Sequence, residues 1–347
     1  MKHEYYTIDD VYTEVRSGKE FQFVGYSSKA CGSEEYFSEY SAGMYPVFQD
    51  TVNERSVALP NMLCTREMYL SREDLTRLEI SKKYHSTKEE ILNQWSEKMK
   101  NDKQIGSFSN REKAIITSSH EQTVKQLASW NERVVLILAY CPTHSQVQEI
   151  VDNDLIDRVF FTDRSIPGDS ECLKMLCKSC RGLGFIRVQG HDIARVLECI
   201  PEENDLEYLE MTDCTIVFLP FVDLRTVTDL RLRNCHFSEG FHLEIEKLEN
   251  VSVDACTGEL NNYLFIQNSF KSLRRISMKL MDIPCCISEW ICKSTELVSV
   301  VMDYSEGSMV ALDDLKNLKH VSLKGMGYEL ESLVDFGEQN PEIELYF

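Results

Sequence analysis

The chain has 347 residues, 43% of them hydrophobic and 27% charged, the proportions of a globular protein rather than of a disordered, collagenous or rod-like one. Lys and Arg number 37 against 57 Asp and Glu, a net charge of −20. A phosphate footprint needs clustered basic residues, so direct nucleic-acid binding is not expected.

The charge sits late in the chain. Residues 1–130 carry 17 basic and 20 acidic residues, which leaves 20 and 37 for 131–347, so a basic partner would be steered toward the later part. The first residues lack the apolar core of a secretory signal. The longest apolar runs, 134–141 and 214–222, are under half of the roughly 20 residues that cross a bilayer, so no membrane partner is expected. Thirteen cysteines, an odd number, then point to a reducing compartment, cytoplasmic or nuclear, without a disulfide framework.

In chain order, residues 1–57 are rich in Tyr, Ser and Gly and read as a loop-rich N-terminal extension with one early helix. Residues 58–130 read as a helical region. Ser71 with Asp74, and Thr87 with Glu90, have the spacing of capping boxes. A third helix is expected after Ser109 and Asn110, ending near Trp130, with 101–110 as a linker.

From 131 to 347 the chain repeats itself. Apolar residues recur at positions 1, 4 and 6 of a short unit: Ile156, Val159, Phe161; Leu183, Ile186, Val188; Leu206, Leu209, Met211; Val227, Leu230, Leu232; Leu248, Val251, Val253; Leu273, Ile276, Met278; Leu297, Val300, Met302; Leu318, Val321, Leu323. A last strand holds Ile343 and Leu345, and the run from Val134 reads as an earlier one. Fourth positions lie 21 to 27 residues apart, shorter than the 30 or more of an ordinary strand–helix–strand unit. At the ninth position Cys214, Cys235 and Cys256 stand in register, and Met281 and Met326 take the slot later. Helices are expected between strands at 191–200, 284–292 and 308–318.

This pattern resembles a leucine-rich repeat array of the cysteine-containing kind. The resemblance implies an α/β leucine-rich repeat solenoid, a curved parallel sheet with convex helices, preceded by the mainly helical N-terminal region. It also implies a buried ninth side chain that ties down the loop after each strand. Side chains alternate along a strand, so positions 3, 5 and 7 would line the concave face. There Phe160, Phe185, Arg187, Tyr208, Glu210, Arg231, Arg233 and Asp254 are the expected partner-binding residues, since aromatic and Arg side chains make interface anchors.

With the array in place, residues 59–84 resemble an F-box, a helical module that docks a substrate receptor onto the Skp-type adaptor of a cullin ubiquitin ligase. Leu59 and Pro60 match its opening, and Leu70, Asp74, Leu75 and Leu78 match its second half; these would bind the adaptor. Arg66, Glu67 and Tyr84 depart from the pattern. The expected function is therefore non-enzymatic protein binding, either as an F-box-like receptor or as a scaffold or inhibitory protein without a ubiquitin link. Cys172, Cys177 and Cys180 form C-x4-C-x-x-C without a second pair, so helix packing is expected rather than a metal. Cys141 and His144 are expected in a turn, and Cys285, Cys286 and Cys292 on a buried helix face. No catalytic residue, metal ligand or cofactor is assigned, because no nucleophile elbow, phosphate loop or dinucleotide fingerprint is present.

Overall fold

In a computed structural model, residues 6–27, 45–52, 56–58, 69–95, 114–131, 133–216, 224–237, 245–258, 270–283, 287–307 and 309–347 are described. They divide into two compact units, 1–99 with Phe347, and Lys100–Tyr346. No described helix is long and apolar enough to cross a membrane.

The first unit is a sheet where the sequence predicts loops. Strands β1 (Val11–Glu14), β2 (Glu20–Ser27), β3 (Tyr45–Asp50), β4 (Ser56–Ala58) and β5 (Tyr69–Leu70) pair antiparallel in the order β4-β3-β2-β1-β5. The cause is aromatic alternation. Phe21 and Phe23 point inward from β2 and meet Tyr6, Tyr12, Phe48 and Tyr69. Phe48 and Tyr69 stack at 4.3 Å between ring centroids. Aromatic side chains suit a pleated, half-buried surface, and each carries a large buried area. Burial pushes the Tyr69 phenol up to about 12. A bulge interrupts the β2–β3 ladder between Phe23 and Gly25, where Gly25 takes φ 131°, a conformation open to glycine alone.

The helical expectation for 58–130 is met in part. Ser71 starts α1 (Arg72–Trp95): its hydroxyl accepts from the Asp74 amide at 3.1 Å and donates to the Asp74 carboxylate at 2.8 Å. The helix runs straight through Thr87, so no second helix starts there. The third helix is shorter than expected. It is α2 (His120–Leu127), capped by Ser119, and β6 (Ala114–Thr117) precedes it. Thus the strands of the second unit begin near 114, not 131.

The second unit is mixed α/β and built on one open parallel sheet. Seven α-helices are present among the described residues of the chain. Eleven strands line up in strict chain order: β6, β7 (Val134–Leu138), β8 (Ile156–Thr162), β9 (Gly182–Ile186), β10 (Tyr208–Thr212), β12 (Asp229–Arg233), β14 (Asn250–Asp254), β16 (Arg275–Lys279), β18 (Ser299–Val301), β20 (His320–Ser322) and β21 (Glu344–Tyr346). Helices α3 (His144–Val151), α4 (Ser170–Ser179) and α5 (Gly190–Leu197) connect the early strands. Two-residue strands β11 (Thr215–Ile216), β13 (His236–Phe237) and β15 (Thr257–Gly258) follow the middle ones and pair parallel, as do β17 (Asp282–Ile283) and β19 (Glu306–Gly307). Later links are shorter, with α6 (Ile287–Lys293), a 3-10 turn at Leu312–Leu315 and α7 (Leu330–Gln339).

One turn recurs after the strands. Arg187, Asp213, Asn234, Ala255, Leu280 and Tyr304 all have φ between 50° and 58°, and Gly325 has φ 65°. Left-handed backbone costs a non-glycine residue about 1–2 kcal/mol. A ladder of hydrogen bonds offsets it, because each of the six non-glycine amides donates to the strand-end carbonyl of the following repeat, at 2.6–3.2 Å. The residue after the left-handed one turns inward. Cys235 donates its thiol to the Met211 and Arg233 carbonyls, both at 3.3 Å. Cys214 reaches the Phe185 and Thr212 carbonyls at 3.5 and 3.3 Å. Ser305 occupies the same slot, its hydroxyl 3.1 Å from the Met278 carbonyl.

The cysteine register predicted from sequence therefore stands. Cys214, Cys235 and Cys256 are buried free thiols, whereas Cys141 and Cys292 are exposed. The exposure of Cys292 corrects the expected burial: its thiol points outward to Asp314, 3.6 Å away; Cys285 and Cys286 lie outside the described residues. An alkylating reagent on the native protein should modify Cys141 and Cys292 long before Cys214, Cys235 or Cys256, as peptide mapping would read. Cys235→Arg should cost several kcal/mol, because it sets an unpaired charge against two carbonyls in a buried slot. An unchanged urea midpoint for Cys235→Arg would refute that packing.

Candidate functional site

Burial alternates along the middle strands. In β12, β14 and β16 the second and fourth residues are buried, while the first and third are half-exposed. One face of the sheet is thus the core and the other meets solvent. Parallel sheets ordinarily have both faces covered, which makes the open face the feature to explain.

At its early end the open face is packed by its own side chains. Val135, Phe160 and Tyr208 form a buried cluster, with Ile137 and Ile186 against it. Two glycines of β9 make room. A Cβ on Gly184 would lie 2.2 Å from the Phe160 ring, and one on Gly182 would lie 2.7 Å from Arg158 and 3.0 Å from Tyr208. The Arg158 guanidinium sits 3.8 Å over the Tyr208 ring, and that of Arg231 5.1 Å from it. The ring quadrupole attracts both cations. The Tyr208 hydroxyl donates to Glu210, and Thr212 donates to the same carboxylate at 3.1 Å. Burial, with the Glu210 carboxylate second, raises the Tyr208 phenol well above its ordinary value.

The expected partner-binding residues divide on this frame. Glu210 and Arg231 are half-exposed on the open face and Arg233 is exposed. Phe160 and Tyr208 lie on that face but are buried within it. Phe185 is not on it: the side chain is fully buried in the core. The spacing of apolar residues allowed two registers, and β9 pairs Leu183, not Ile186, with Leu209. Cys180, Leu183 and Phe185 therefore hold positions 1, 4 and 6, and Gly182, Gly184 and Ile186 take the outward ones. The same shift carries Arg187 beyond the strand into the left-handed turn, where its guanidinium is exposed, 3.7 Å from Asp213. The two glycines were missed. The signal was a pair of glycines two apart inside a strand, which marks close approach by a neighbouring side chain.

Asp254 is 8% exposed, and its Oδ1 has no hydrogen-bond partner among the described residues. Arg233 stands 3.9 Å from the other oxygen. Burial raises the Asp254 carboxyl above its usual range, opposed by Lys279 and Arg233. The native state then holds this proton more tightly than the unfolded chain does. Stability contributed here is present at low pH and is lost as pH rises from the ordinary carboxylate value of about 3.9 through the raised one. Asp254→Asn should therefore raise the urea midpoint at pH 7, with the gain fading toward pH 4. An equal gain at both pH values would refute the assignment.

The adaptor-binding set is described in part. Leu59, Pro60, Arg66 and Glu67 lie outside the described residues. Leu70 is buried on β5, paired with Thr13, and not on a helix. Asp74 serves the start of α1, and Leu75 and Leu78 are half-buried on it. Cys172, Cys177 and Cys180 are buried, the first two on α4. No protein-family model matches the chain, and no curated protein matches it.

Proposed function

We propose that this chain is a non-enzymatic protein-binding protein of the leucine-rich repeat type, and that it holds a protein partner across the open face of its parallel sheet. The observation that carries the reading is the alternation of buried and half-exposed residues along β12 and β16 and the first four residues of β14, strands whose other face is a core. A parallel sheet with one uncovered face, lined by Glu210, Arg231, Arg233, Asn250, Arg275 and Lys279, suits a partner that supplies the missing layer. The recurrent turn with its inward Cys or Ser is what a repeat of this type requires. Repeats that touch only their neighbours give extended binding surfaces of this kind. Arg231, held over Tyr208, is pre-ordered for an anchor role, because less side-chain freedom is lost on binding.

The test is affinity capture with the full chain, identification by mass spectrometry, and a repeat with Arg231→Ala and Arg233→Ala. A partner retained by the parent and lost by the variant supports the face. Recovery of an Skp-type adaptor with a cullin would add the F-box-like role for 59–84. Partners retained equally by both proteins would remove the face from consideration.

A further inference from the structure

Two loops at the carboxyl ends of adjacent strands β7 and β8 bring together three side chains from separate parts of the sequence. His144 opens α3, just after the turn that follows β7. Asp169 is the N-cap of α4, and Cys172 lies in that helix's first turn. Their donor atoms form a closed triangle. His144 Nδ1 is 3.2 Å from Asp169 Oδ2, Cys172 Sγ is 3.6 Å from the same nitrogen, and Sγ is 3.5 Å from the same oxygen.

Three readings compete. The first is a nucleophilic Cys–His–Asp relay. That arrangement needs the two ring nitrogens to serve different partners, one the nucleophile and the other the carboxylate. Here Nδ1 makes both contacts, so no relay exists, and Cys172 is 1% exposed. The second is a plain hydrogen-bond cluster. Nδ1 and Sγ can supply one proton each, two protons for three edges, and the remaining edge is then a contact without a hydrogen.

The third is convergence on a cation. Zinc takes sulfur, imidazole nitrogen and carboxylate oxygen at about 2.3, 2.1 and 2.0 Å in a tetrahedron. The edges of such a tetrahedron are about 3.6 Å for S–N, 3.5 Å for S–O and 3.3 Å for N–O, which follows from those lengths and the tetrahedral angle. The observed edges are 3.6, 3.5 and 3.2 Å. All three agree to within about 0.1 Å, and the three donor atoms form one cluster. We infer that His144, Asp169 and Cys172 form a site for a zinc-like divalent cation, with a fourth position open to solvent.

The surroundings fit. Asp169 uses its other oxygen, Oδ1, to accept from the Glu171 amide at 3.0 Å, which fixes the carboxylate while Oδ2 turns to the triangle. Burial first, and the Asp169 carboxylate second, push the Cys172 thiol up to about 11, so it is the cation's own charge that would favour the thiolate here. His144 and Asp169 are exposed by about half, with side-chain values of 59% and 51%, so the cation has a route in. A bound ion would clasp the turn after β7 to the start of α4. Cys141, exposed in that same turn, lies outside the triangle and is not needed by it.

The test uses the full chain, reduced and stripped with a chelator, then titrated with zinc against a chromophoric competitor. Cobalt is added in parallel, because a thiolate ligand produces a charge-transfer band. One tight equivalent per chain is expected, with a cobalt–thiolate band and a melting temperature that rises with zinc, since a ligand bound by the native state alone stabilises it. Asp169→Asn keeps an N-capping oxygen but loses the charge; it and His144→Ala should each weaken binding at least tenfold and abolish the zinc-dependent rise. These two changes fall on half-exposed side chains, so both proteins should fold. Cys172→Ser should remove the cobalt band. If the parent binds no zinc, or if His144→Ala and Asp169→Asn bind it as tightly as the parent, the site does not exist.

Discussion

Truncation after Asn317 should leave the second unit unable to unfold cooperatively, and the protein should aggregate on expression. The lost segment carries Leu318, Val321, Leu323, Leu333, Phe336, Ile343 and Leu345, all buried. Each buried aliphatic or aromatic side chain contributes about 1.5–3 kcal/mol, so the seven together contribute roughly 10–20 kcal/mol, as much as the 5–15 kcal/mol net stability of most domains. The loss also uncovers β18 and the residues beneath it. Val300 and Met302, fully buried in the whole chain, would face water. Asp303 would lose the Ser322 hydroxyl at 2.5 Å and the Lys324 amide at 3.2 Å. Those charge-assisted hydrogen bonds would be exchanged for bonds to water, a further loss. Thermal unfolding by circular dichroism checks the expectation. A soluble truncation with the parent's melting profile would show that the last strands are an appendage.

The second large effect concerns binding. Arg231→Ala combined with Arg233→Ala should weaken partner capture about a hundredfold or more, since arginine anchors commonly cost about 2 kcal/mol each when truncated. The proposal of the open face stands or falls on this number. Tyr208 is a poor choice for the same test. Its ring is 3% exposed and packed beneath two guanidinium groups, so Tyr208→Ala would open a cavity and confuse stability with binding. Lys324→Glu, at the far end of the sheet beside Tyr346, should change affinity little. A titration of each variant against the captured partner, with melting temperatures alongside, separates the cases. Equal affinity for the double variant and the parent would move the binding surface elsewhere.

Much of the second unit was legible from periodicity. The spacing of apolar residues located β8, β10, β12, β14, β16, β18 and β20, and the three cysteines marked the inward slot after the middle strands. The reason is local: a short strand with one buried face needs apolar residues two apart, and a turn that repeats needs the same small side chain at the same offset. Periodicity could not choose the register of β9, because Cys180, Leu183, Phe185, Ile186 and Val188 satisfy the pattern two ways. Tertiary pairing decided it. Gly182 and Gly184 fit beneath Arg158 and Phe160 only when they face outward, and that sends Phe185 to the core. The antiparallel sheet of the first unit was hidden for a related reason. Its core is made of tyrosine and phenylalanine from 6, 12, 21, 23, 48 and 69, spread over segments too short to show a period. The triangle of His144, Asp169 and Cys172 was beyond any spacing rule. Its members are separated by 25 and 3 residues in sequence and meet only because two loops leave neighbouring parallel strands at the same end of the sheet. Outside β9, local pattern determined which residues of the second unit turn inward; long-range pairing settled β9 and determined which of the other residues meet.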